Sequence, residues 1–163
     1  MNLRIIIAVA IGGAIGSVAR YLVGVGSGRL LGLTFPWGTL IINVLGSFLI
    51  GVFVESFSLR WDLPQVMRVF LTVGICGGFT TFSTFSLDAG FLMQRGEPWP
   101  AAAYVIGSVT LSIAALFVGL RLIRTISWNA LRSRPWYRPH PFTRTYAPCA
   151  DEASLRFQFA SSN

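Results

Sequence analysis

The chain has 163 residues, of which 53% are hydrophobic and 12% charged, with a mean hydropathy of +0.64. A soluble domain is about 25% charged, so this is the composition of a membrane protein. The net charge of +7 would raise a nucleic-acid partner in a soluble protein; here the basic tail directly follows an apolar run, where anionic lipid headgroups attract it.

A bilayer-crossing helix needs roughly 20 apolar residues. Four runs reach that length, at 5–25, 37–57, 66–93 and 101–123, which predicts an all-α integral membrane protein. The first run follows Arg4 and has the start of a secretory signal, but its length and the three runs after it argue for a span. Within it, Gly12 and Gly16 of "GGAIG" make a small-xxx-small face that lets helices approach closely. Arg20, in "GSVARYLVG", lies about fifteen residues past the start of the run. It can snorkel as an interfacial anchor, or place a positive charge at the mouth of an anion pathway.

In the second run Thr39 and Asn43 of "GTLIIN" are four apart and share a helical face. An unpaired carboxamide in lipid is costly, so Asn43 needs a partner, either another helix or a permeating anion that accepts from its NH₂. The third run contains "GGFTTFSTFS", a glycine pair with five hydroxyls and three phenylalanines. Gly77 and Gly78 weaken a helix, and Ser and Thr compete for its hydrogen bonds, which predicts an interruption. Freed carbonyls there are hard ligands for a small cation. Phe82 and Phe85 are three apart, with Ser83, Thr84 and Ser86 alongside. Rings turned edge-on beside hydroxyls suit a small anion, whereas core packing explains the rings but not the hydroxyls. In the fourth run Tyr104, Ser108 and Ser112 make a second hydroxyl stripe, although serine in a membrane helix commonly bonds back to its own backbone.

Trp37, Trp61, Trp99 and Tyr104 fall near run ends, where amphipathic rings favour the headgroup level. Beyond Arg124 the composition changes. Residues 125–163 carry four prolines and no sustained periodicity, which predicts a four-span domain at 1–124 and a mostly disordered extension, with an interfacial helix near 128–132. Every one of the thirteen basic residues is arginine. Arg4, Arg60, Arg68, Arg121 and Arg124 fall on one side of a four-span chain and Arg29 and Arg95 on the other, which favours both termini inside. The acids Glu55, Asp62, Asp88 and Glu97 read as lying at or beyond run ends. A proton-coupled exporter generally needs an ionisable group at membrane depth, so passive movement is the expectation. Four helices enclose little interior, so permeation favours a dimer or larger assembly. Cys76 and Cys149 are too few for a disulfide framework, and lone His140 sits among prolines.

"GGFTTFSTFS", with "GGAIGSVARY" in the first run and "FPWGTLIINVLGSFLIG" in the second, closely resembles the small fluoride channels of the Fluc (CrcB) family, over residues 3–124. The resemblance implies a passive, fluoride-selective channel that exports cytoplasmic fluoride across the bacterial plasma membrane. It implies an antiparallel, dual-topology homodimer with two pores and a structural Na⁺ at its centre. The Na⁺ ligands would be the backbone carbonyls of Gly77 and Thr80 from both subunits. Phe82, Phe85 and Asn43 would line the anion pathway with Ser83, Thr84, Tyr104, Ser108 and Ser112, Thr39 lying one turn before Asn43 and Arg20 supplying the charge at the mouth. The extension from 125 is longer than the family's usual ending. Its arginines favour one orientation where the dimer needs both, and mixed insertion is expected because the core governs assembly.

Two other readings compete. A small proton-coupled multidrug exporter would need a membrane-embedded glutamate that the first run lacks. A non-transporting scaffold would explain the glycines and the basic tail but not the polar stripes. An enzyme is set aside, since no run carries a nucleophile beside a histidine or a metal-ligand cluster.

Overall fold

In the computed structural model of the chain, residues 2–59 and 63–132 are described. They are helical, and among them there is no strand. Four spans are long and apolar enough to cross a bilayer, Leu3–Leu31, Trp37–Ser58, Gln65–Gln94 and Pro98–Ser127, so the chain is a multi-pass membrane protein. Residues 1–125 form one compact unit, and a second begins at Ile126.

Helix α1 (Leu3–Leu31) starts at Asn2, whose side chain accepts from the Arg4 N–H at 3.2 Å. It stops at Gly32, where φ is +82°, and Pro36 precedes α2 (Trp37–Leu59). The third span is composite. A short α3 (Gln65–Val69) leads into a π-helical segment, Phe70–Cys76, then into the single turn α4 (Gly77–Phe79). Thr80 (φ −76°, ψ 157°) and Thr81 (φ −153°, ψ 122°) are extended, and α5 (Phe82–Gln94) follows.

The end of α5 is a Schellman turn. Gly96, at φ +75°, donates to the Met93 carbonyl at 3.0 Å and Glu97 donates to the Leu92 carbonyl at 3.1 Å. Helix α6 (Pro98–Arg132) runs nine residues past the predicted end of the fourth span, since no glycine or proline follows Gly119 until Pro135. The expected extension therefore begins as helix. Its remainder, with His140 and Cys149, lies outside the described residues.

The glycine pair of α1 packs as its spacing suggests. A Cβ on Gly12 would come within 2.8 Å of the Phe70 carbonyl oxygen and 2.9 Å of the Gly74 Cα, and one on Gly16 would overlap the Ile75 carbonyl. Backbone meets backbone at this crossing, which is what small residues permit in lipid. Gly51 of α2 meets the Leu116 backbone of α6 in the same way. Near the other end of α2, buried Phe85, Leu92, Ala101 and Tyr104 pack with Phe35, Leu40 and Ala89. Tyr104 is fully buried, which corrects its placement among the interfacial rings; Trp99 is 83% exposed. Glu55, buried near the end of α2, accepts from Arg124 Nε at 2.8 Å and Nη2 at 3.4 Å, which ties α2 to α6.

Candidate functional site

The site is organised around Thr80 and Thr81. An α-helix passing through them would give the Thr81 N–H to the Gly77 carbonyl and the Thr84 N–H to the Thr80 carbonyl. Both donors go elsewhere. The Thr81 N–H donates to Asn43 Oδ1 at 2.9 Å, and Asn43 Nδ2 donates back to the Thr81 carbonyl at 3.0 Å. The Thr84 N–H donates to Thr81 Oγ1 at 3.2 Å, which caps α5. Thr80 folds back instead, its N–H and hydroxyl both donating to the Cys76 carbonyl at 2.9 and 3.0 Å. Gly46 of α2 leaves room for the Thr80 methyl, which a Cβ there would overlap. The partner that Asn43 needs is thus the extended backbone of the third span. One of its two amide hydrogens remains for another acceptor.

The intramembrane hydroxyls differ in what they bond. Ser27, Ser56, Thr72, Ser86 and Thr110 bond back to carbonyls of their own helices, at 2.6 to 3.0 Å. These are structural hydroxyls. Thr81, Ser83 and Thr84 instead form a cluster, with Thr81 Oγ1 at 3.2 Å from each of the other two hydroxyl oxygens. Ser108 and Ser112 belong to neither pattern, since their hydroxyl oxygens are buried and make no hydrogen bond among the described residues. Buried polar groups are nearly always bonded, so these two hydroxyls differ from those that turn back on their own helices.

Thr39 Oγ1 donates to Asp88 Oδ2 at 2.6 Å, and the Tyr104 hydroxyl donates to the same oxygen at 3.3 Å. Asp88, read from the sequence as lying at or beyond its run end, therefore lies within the span. It sits six residues inside the end of α5, half-buried, where two neutral donors make a carboxylate at that depth tolerable. A hydroxyl has one proton, so Thr39 and Tyr104 as placed here hold the acid. Phe82 and Phe85 have ring centroids 5.4 Å apart and tilted by 42°. Phe85 is buried and lies 5.3 Å from the Tyr104 ring, whereas Phe82 is 78% exposed.

A cleft of about 850 Å³ opens between α1, the 32–36 linker, α2 and α5. Arg20, Thr39, Thr81, Thr84 and Asp88 line it, together with Arg29 and Arg95 near helix ends. Asn43 lies behind Thr81, while Phe82, Ser83, Ser108 and Ser112 are not among its lining residues. Gly77 and Thr80 lie on the other side of the Asn43–Thr81 pair in sequence, and their carbonyls are the ones whose helical donors are drawn away. Among the described residues no three His, Cys, Asp or Glu side chains come together, so hard oxygen ligands here would be backbone ones. Thr81 and the inward position of Asp88 were not read from the sequence. The i, i+3, i+7 spacing of Thr81, Thr84 and Asp88 was the available signal.

Residues 7–120 match the sequence profile of the family described as CrcB-like protein, Camphor Resistance (CrcB). The chain is 63% identical over 126 residues to the fluoride-specific ion channel FluC of Nitrobacter winogradskyi, covering 77% of this chain and 100% of the relative. It is 60% identical over 126 residues, with the same coverage, to fluoride-specific ion channel FluC 1 of Nitrobacter hamburgensis. It is 57% identical to the Agrobacterium fabrum FluC over 118 residues, 72% of this chain and 94% of that one. With the profile matched over residues 7–120 and relatives up to 63% identical over their whole length, this four-span chain belongs to the CrcB family.

Proposed function

We propose that the protein is a passive, fluoride-selective channel that exports cytoplasmic fluoride, and that it is not an enzyme. The observation that carries this reading is the Asn43–Thr81 clamp, which holds an extended backbone segment beside two rings and a cluster of hydroxyls within the membrane. Relatives bearing the name fluoride-specific ion channel support the choice of ion. Fluoride is small, tightly hydrated and a strong acceptor, so replacing its water takes closely placed donors without a fixed charge that would trap it. The second amide hydrogen of Asn43, the Thr84 hydroxyl, and the Ser108 and Ser112 hydroxyls supply such donors, while Ser83, which gives its proton to Thr81, would have to turn from it to join them. Ring edges of Phe82 and Phe85 add positive quadrupole without charge. Thr39 and Tyr104 contribute by fixing Asp88, and Arg20 draws anions toward the cleft.

The working unit in this reading is an antiparallel, dual-topology homodimer. Phe82, Ser83 and Thr84 are exposed on the single chain, and hydroxyls at membrane depth suit a protein partner better than lipid. The carbonyls of Gly77 and Thr80 from two copies would hold a Na⁺, which when bound supplies charge that joins the two breaks. This chain's part is to keep those carbonyls out of helical bonding, through Asn43 and the Thr81 cap. A scaffold would not need donors held ready inside the membrane. Expression in a bacterial strain that lacks fluoride export tests the function: restored growth in millimolar fluoride is expected, and continued arrest with the protein demonstrably inserted would count against it.

A further inference from the structure

Three arginines line the cleft, and they stand at two depths. Arg20 and Arg29 are both on α1, nine residues apart, which separates their backbones by about 13 Å along the axis. Arg29 lies in the last turn of α1, and Arg95 is the residue at which α5 ends, so both stand where helix ends meet the cleft. Arg20 stands nine residues further in than Arg29. Arg95 does not trail free, since its Nη1 donates to the Thr34 carbonyl of the 32–36 linker at 3.4 Å. The cleft's lining holds one acid, Asp88, against the three arginines, so its net charge is positive.

We propose that Arg29 and Arg95 form an outer anion-collecting pair, distinct from Arg20, that raises the local concentration of the permeating anion before it reaches the narrow pathway; this role rests on the fluoride-channel reading. Two unit charges about 10 Å from an ion in water raise its local concentration about threefold in ~10 mM salt. In ~0.5 M salt, where the screening length is about 4 Å, the gain falls to about 1.2-fold or less. Arg20 is deeper, where water and counterions penetrate less, so its contribution resists salt.

The test is fluoride release from vesicles of neutral phosphatidylcholine, which contribute no surface charge, at 10 mM and 0.5 M potassium isethionate. Arg29→Gln with Arg95→Gln should slow release about threefold at low salt and leave it within about 1.2-fold of wild type at high salt. Arg29→Lys with Arg95→Lys, which keeps both charges, should follow wild type at both. Arg20→Gln should slow release at both. An unchanged rate for the double Gln variant at low salt, an equal loss at both salts, or a loss shared by the Lys variant would overturn the proposal. Salt recovery of Arg20→Gln would remove the distinction in depth. A wild-type protein that releases no fluoride would overturn the channel reading itself, and this role with it.

Discussion

Asn43 is the residue on which the site turns. Its carboxamide accepts from the Thr81 N–H and donates to the Thr81 carbonyl, so one side chain satisfies the backbone of an extended residue. Asn43→Asp would set a carboxylate oxygen against that carbonyl and place negative charge on the anion path. Each lost hydrogen bond costs about 1 kcal/mol and an unmade one more, so fluoride flux should fall by about tenfold or more. Flux at the wild-type level from this variant would remove Asn43 from the pathway. The sequence showed that Asn43 needed a partner but left two candidates, because the answer depended on where the third span lost its helix. It also showed the hydroxyl stripes, yet could not sort them. Ser86 turned back on Phe82 while Ser108 and Ser112 did not bond, and only the fold distinguishes the two cases.

At the scale of elements, the crossing of α1 with the third span is set by glycine. A methyl group at Gly16 would meet the Ile75 carbonyl and the Phe79 nitrogen, whereas one at Gly13 meets nothing within 4 Å. Gly16→Ala should therefore cost about 1–3 kcal/mol as an overpacked contact, while Gly13→Ala should be neutral or slightly stabilising. Thermal midpoints of the purified proteins in detergent would check this, and equal midpoints for the two would show that the crossing is not backbone-limited. The four spans were legible from hydropathy, although α1 runs six residues past the expected end of the first run and α6 nine past that of the fourth. The π-helical segment at Phe70–Cys76 was not. A π turn adds a residue without leaving a mark in composition, and the segment lies where the third span meets the glycines of α1. Asp88 was read as lying at a run end for a similar reason: an acid inside a span becomes tolerable only when donors from other helices, here Thr39 and Tyr104, reach it.

For the whole molecule, an antiparallel pair requires both orientations of one chain, despite an arginine bias toward one. Leu33, in the linker between α1 and α2, is 83% exposed and offers a labelling position, while native Cys76 is fully buried. With Cys149 replaced by serine, Leu33→Cys should react with an impermeant maleimide from both sides of the membrane. Labelling from one side alone would contradict dual topology while leaving the single-chain fold intact. Whether lipid or a second copy covers an exposed ring such as Phe82 is not written in the sequence pattern, since both are apolar neighbours. The most direct measurement is ion release from liposomes containing the purified protein, followed with a fluoride electrode beside a chloride electrode. Rapid fluoride release with little chloride is the expected result. No fluoride release from a folded, inserted dimer, or equal release of both ions, would contradict a fluoride-selective pathway.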